Sequence, residues 1–81
     1  MIKVLFFAQV RELVGVHQLE IAPEFTNVEA LRLMLAGQSD RWSLALESGR
    51  LLAAVNQTLV ALQHPLQDGD EVAFFPPVTG G

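Results

Sequence analysis

The chain has no cysteine and no tyrosine, two histidines, and five lysines and arginines against nine aspartates and glutamates in 81 residues. Without cysteine there is no disulfide, no thiolate metal site and no cysteine nucleophile. His17 and His64 lie far apart in sequence, and neither has a second histidine at ligand spacing. Both read as surface or turn residues, and no metal is expected. The basic residues are scattered and the net charge is −4, whereas a nucleic-acid binder normally presents a basic face. No apolar run approaches bilayer-spanning length. Met1-Ile2-Lys3 leads straight into a strand-like pattern, without the basic start, apolar middle and cleavage site of a secretory signal. A cytoplasmic protein is expected, with neither nucleic acid nor membrane as partner. A Gly-rich phosphate loop and a Ser/His/Asp ordering are also missing. Side chains are therefore not expected to carry chemistry.

What is abundant is apolar material. Hydrophobic residues make up 51% of the chain, and a single domain is expected at this length. A domain this small buries about 60–65% of the surface of its unfolded chain. The apolar surplus points to a partner interface, with dense packing as the other explanation.

The most informative stretch is the end, Phe74-Phe75-Pro76-Pro77-Val78-Thr79-Gly80-Gly81. Two prolines each fix φ and remove a donor, so a strand stops there and an extended, semi-rigid tail leaves. The two glycines have no Cβ and fit a slot too narrow for any side chain. From Pro76 to Gly81 the reach is on the order of 20 Å at about 3.3 Å per residue. That suffices to carry a terminal carboxylate into another protein's active site. A frayed end is the competing reading. At about 7% glycine usage a chance Gly-Gly at the end has odds of roughly 1 in 200, and the preceding Phe-Phe-Pro-Pro adds to the case for a functional tail. The expected division is a domain over residues 1–75 and a tail over 76–81.

Residues 2–8 predict a strand with Ile2, Val4, Phe6 and Ala8 on one face and Lys3, Leu5 and Phe7 on the other. Gln9 to Val14 predicts a short helical turn ending at Gly15. His17 to Ala22 alternates and pairs with the first strand as a hairpin. Thr26 and Glu29 fit a capping box, placing a helix from about Asn27 with Val28, Leu31 and Leu35 as its core stripe and Met34 on its flank. A second short helix is expected from about Asp40 to Gly49, with Trp42 packed rather than stacking on a ligand. Leu51–Val55, Thr58–Val60 and Glu71–Phe75 predict three further strands. Asn56-Gln57 and Asp68-Gly69 mark turns.

This order predicts an α+β fold with a mixed sheet and one main helix packed on one face. First and last strands are expected to lie parallel at the centre. The opposite face stays partly open, labelled by Lys3 and Glu71, and period-2 alternation adds Phe7 and Phe75 to it. Large aromatics there read as a partner patch, unless the helix at 40–48 or a loop covers them.

Three segments carry a family resemblance. Residues 2–8 with Arg11-Glu12, Ala54-Val55-Asn56-Gln57, and above all residues 68–81 are similar to the small subunits of molybdopterin synthase, a family of ubiquitin-like sulfur carriers. The resemblance runs essentially full length and is least specific over residues 17–38. It implies a β-grasp fold. It also implies that an E1-like activating enzyme uses ATP to adenylate Gly81, that a sulfur donor converts this end to a thiocarboxylate, and that the carrier binds no cofactor itself. The tail Pro76, Pro77, Val78, Thr79 and Gly80 would then enter the large subunit of a heterotetrameric synthase and donate sulfur to cyclic pyranopterin monophosphate. The family's docking surface maps onto Phe7, Leu59 and Phe75. Lack of cysteine agrees with sulfur travelling on the terminus. The alternatives are a carrier for another pathway such as thiamine biosynthesis, a protein modifier, and a binding module with an inert tail. Leu33 and Met34 have no functional account.

Overall fold

A computed structural model of the chain describes residues 1–77. Strand β1 (Ile2–Phe6) buries Ile2, Val4 and Phe6 and turns Lys3 outward. It stops two residues earlier than the alternation predicts. Phe7 keeps extended backbone and its N–H donates to the Phe74 carbonyl at 3.2 Å. Ala8 then turns with φ 54°, a left-handed conformation that costs a non-glycine residue about 1–2 kcal/mol. Ala8 thus leaves the face assigned to it and opens helix α1 (Ala8–Val14), a fuller element than a single turn. Gly15 closes α1 at φ 82°, its N–H donating to the Arg11 carbonyl, the left-handed cap that glycine takes without a Cβ clash.

Strand β2 (Gln18–Ile21) pairs antiparallel with β1, setting Ile21 opposite Ile2 and Leu19 opposite Val4. Helix α2 (Val28–Ala36) follows, with Val28, Leu31 and Leu35 buried as its spacing predicts. Its cap differs from the expected box. Asn27 is the cap, and its side chain accepts from the Ala30 N–H at 2.8 Å. Thr26 stays outside because its carbonyl accepts from the Leu66 N–H. Glu29 instead turns to Arg32 on the next turn, with Oε1 and Oε2 accepting at 2.6 and 2.8 Å.

Arg32 is a buried charge that the apolar periodicity conceals. It is 7% exposed, and its Nη1 donates to the Leu46 carbonyl at 2.7 Å. Leu46 is the C-cap of helix α3 (Asp40–Ala45), its N–H donating to the Trp42 carbonyl, and Ser39 opens that helix by accepting from the Trp42 N–H. The helix therefore ends before Gly49, and a 3-10 turn at Ser48–Arg50 carries the chain onward. Trp42 is packed, its ring edge-on to Phe6 with centroids 5.5 Å apart.

Strands β3 (Leu52–Val55) and β4 (Thr58–Val60) form a hairpin. Asn56 and Gln57 turn it with φ of 51° and 69°, the left-handed pair that matches strand twist in a two-residue turn. Asn56 is also clamped. Its Nδ2 donates to Asp70 at 3.0 Å and its Oδ1 accepts from the Glu71 N–H at 3.0 Å. This fastens the turn to the start of strand β5 (Glu71–Phe75).

The sheet order is β2-β1-β5-β3-β4, with β1 and β5 parallel and adjacent at the centre. Ile2, Val4, Phe6, Val72, Phe74, Ala53 and Val55 face the helices and share one buried cluster with Val10, Leu31, Leu35 and Leu46.

Arg32→Met should destabilise the fold by about 1–3 kcal/mol, the cost of leaving a buried acceptor unmatched, read as a lower urea midpoint. The Arg32 hydrogen bond holds the Glu29 carboxyl below its ordinary range, against a smaller opposing effect of burial. A depressed carboxylate stabilises the folded state above its unfolded pKa, and the contribution disappears as pH falls through the folded value. The stability gap between the wild-type chain and Glu29→Gln should therefore shrink from neutral to acid pH.

Candidate docking face and tail exit

Among the described residues every helix lies on one side of the sheet, and no element covers the opposite face. Register places its residues. Lys3 lies beside Glu71 and opposite Glu20, so one end is charged. Toward the other end Leu5 lies beside Ala73, Ala73 opposite Ala54, Ala54 opposite Leu59, and Leu52 opposite Phe75. Phe7 extends this apolar end beyond β1. Leu59 is 64% exposed and Phe7 47%, while Phe75 and Leu52 are half-buried. Exposed aliphatic and aromatic side chains grouped in this way have the composition of an interface core. α3 does not cover them, because Trp42 holds it against Phe6 on the far side.

Phe7, Leu59 and Phe75 thus share one surface, although Phe7 reaches it from the cap of α1 rather than from within the strand. Sequence reasoning missed Leu52 and Ala54. Their signal was the alternation with Ala53 and Val55, weak because a strand of small apolar residues does not mark its wet side. β5 ends at Phe75, at the apolar end of this face, and Pro76 and Pro77 leave the ladder there. Val78, Thr79, Gly80 and Gly81 lie outside the described residues.

A second concavity flanks the exit on the helical side. It lies between α1, α3 and the 3-10 turn, measures about 1020 Å³, and has Pro76 and Pro77 in its wall. Among the described residues no group of three or more metal-ligating side chains converges, and no helix is long and apolar enough to cross a membrane.

A mixed five-stranded sheet with helices on one face, and a C-terminal strand emerging beside an uncovered apolar patch, defines a ubiquitin-like β-grasp protein. Known proteins narrow this. The model of the ThiS family matches residues 4–81. The molybdopterin synthase sulfur carrier subunit of Escherichia coli K12 is 75% identical over the whole of both chains. Subunits 1 and 2 of molybdopterin-converting factor from Helicobacter pylori have been solved as a complex, in which the matching chain is 28% identical with a TM-score of 0.69, covering 99% of this chain and 97% of that one. Small archaeal modifier protein 1 from Methanosarcina acetivorans is 25% identical with a TM-score of 0.76, covering 99% and 95%. The chain belongs to the ThiS family, among its molybdopterin synthase sulfur carrier subunits.

If this face docks a partner, Phe75→Ala should weaken that binding by about 1–3 kcal/mol, as truncating an interface anchor does. Titration calorimetry measures it. Unchanged binding together with a collapsed melting temperature would assign Phe75 to the core instead.

Proposed function

We propose that this chain carries sulfur on its terminal glycine. An E1-like enzyme joins the Gly81 carboxylate to AMP, releasing pyrophosphate from ATP. A carboxylate is a poor electrophile, and the acyl adenylate makes the same carbon open to attack. A sulfur donor displaces AMP and leaves a thiocarboxylate. The charged carrier docks on the large synthase subunit, and its tail delivers sulfur to cyclic pyranopterin monophosphate. Two such deliveries build the dithiolene of molybdopterin, in a heterotetramer of two small and two large subunits. The site of action is the cytoplasm.

One observation carries this reading. The strand that ends in the tail lies at the centre of the sheet, so docking the neighbouring face sets the start of the tail at a fixed place on the partner. Phe7, Leu59 and Phe75 serve as anchors. Pro76 and Pro77 stiffen the root, and Val78, Thr79 and Gly80 bring the reacting end into a narrow channel. The carrier supplies position and reach, while the catalytic groups and the ATP site belong to its partners.

A second reading, attachment to protein lysines, has support in the likeness to small archaeal modifier protein 1. It is the weaker one, because that likeness is 25% identity against 75% to a sulfur carrier subunit.

Incubation with ATP, the activating enzyme and a sulfur source should shift the intact mass by one oxygen-for-sulfur exchange, localised to Gly81 by fragmentation. An unchanged mass, with an authentic carrier converted in parallel, would refute the proposal. Deleting Gly80 and Gly81 should abolish sulfur delivery and leave the circular dichroism spectrum unaltered, because both lie beyond the last strand.

A further inference from the structure

The sheet face does not account for all the exposed apolar surface near the tail. Leu44, on the outer side of α3, is 63% exposed, nearly as much as Leu59. It lines the groove between α1 and α3 together with the buried Ala45 and Leu51. The groove is firmly built. Arg41 donates from Nε to the Leu13 carbonyl at 3.0 Å, tying α3 to the end of α1. Arg32 ties the other end of α3 to α2 through the Leu46 carbonyl. Neither clasp uses Leu44, and neither is needed to bury it. Arg50 lines the groove together with Arg41, Glu12 and Glu47, and has no ion-pair partner among the described residues.

Pro76 and Pro77 indicate what fills the groove. Both line it, so the tail begins with the sheet patch on one side and this groove on the other. A protein that encloses the tail beyond Pro77 closes around that root and meets both surfaces. Interface size points the same way. A standard interface engages about 20–30 residues a side, far more than the apolar end of the sheet face supplies.

We propose that the groove between α1 and α3 is a second docking surface, taking an extended segment of the large synthase subunit that grips the root of the tail from the helical side. The segment places an apolar side chain against Leu44 and Leu51 and a carboxylate against Arg50. Gripping Pro76 and Pro77 from both sides fixes the direction in which the tail leaves, which the sheet face alone does not. This inference rests on the reading of the chain as a partner-docked carrier.

The test is titration calorimetry of the full-length chain with the purified large subunit. Leu44→Asp should weaken binding about tenfold, or 1.4 kcal/mol, and Arg50→Ala about threefold, with circular dichroism unchanged because both side chains are exposed. Leu33→Asp adds the same charge on the exposed side of α2, away from the groove, and should bind as the wild-type chain does. Leu59→Asp reports on the sheet face. If Leu59→Asp weakens binding and the groove variants do not, the groove proposal is wrong and the docking reading stands. If Leu59→Asp binds normally as well, the docking reading falls and takes the groove with it. A loss shared by Leu33→Asp would mark a general charge effect and overturn the groove, as would a loss seen only with the activating enzyme.

Discussion

The parallel pairing of β1 with β5 is the contact on which the rest of the molecule depends. It joins the first strand to the last, Val4 beside Val72 and Phe6 beside Phe74, all four essentially without solvent exposure. Burying a side chain of this kind stabilises by about 1.5–3 kcal/mol, so this ladder is among the strongest joints in a small domain. Phe6 and Phe74 stack with centroids 6.3 Å apart, and Trp42 meets Phe6 edge-on. The same pairing puts the C-terminal strand in the middle of the sheet. A tail leaving an edge strand would shift with the fraying of that edge. Here it leaves from a strand flanked on both sides.

Polar clasps then settle what the apolar core leaves open. A short helix such as α3 has little intrinsic stability, and its ends carry carbonyls and N–H groups without partners. Ser39, Arg32 and Arg41 serve α3 and the adjoining end of α1. Arg32 is tolerated inside because Glu29 neutralises it and the Leu46 carbonyl takes another of its donors. An unpaired charge at that depth would not be. Asn56 acts in the same way on the sheet side, holding the β3–β4 turn against the start of β5. The α3 clasps fix the helical wall beside the tail's root, and the Asn56 clasp secures the opposite end of β5.

Division of labour follows from this arrangement. Under the proposed function, in which the carrier visits more than one enzyme, the reactive end stays free of bulk and specificity lies on a rigid surface behind it. An uncovered apolar sheet face and a small-residue tail meet both needs. The exposed Leu59 and Phe7 have no role in the core, and their cost in solubility is offset by a net charge of −4.

Much of this was legible in the residues. Period-2 alternation located the five strands and assigned Lys3, Phe7, Glu71 and Phe75 to the outer face. Period-3.6 spacing found Val28, Leu31 and Leu35. Pro76-Pro77 and Gly80-Gly81 marked the tail, because proline and glycine act on the backbone wherever they stand. Local rules failed where a distant partner intervened. The β1 ladder ends at Phe6 because Ala8 turns into α1, Asn27 displaces Thr26 as a cap because Leu66 holds Thr26, and α3 ends at Ala45, where the Leu46 N–H closes on the Trp42 carbonyl and the Leu46 carbonyl turns to Arg32. The sequence by itself determined the kinds of elements, the faces of the first and last strands and the stop at Pro76, all of which follow from bonds between near neighbours. Only the tertiary structure decided that Leu52 and Ala54 join the open face, that Arg32 is buried, and that a groove lies beside Pro76 and Pro77. Each of these depends on which distant segments meet, a matter of strand register and helix packing that periodicity does not encode.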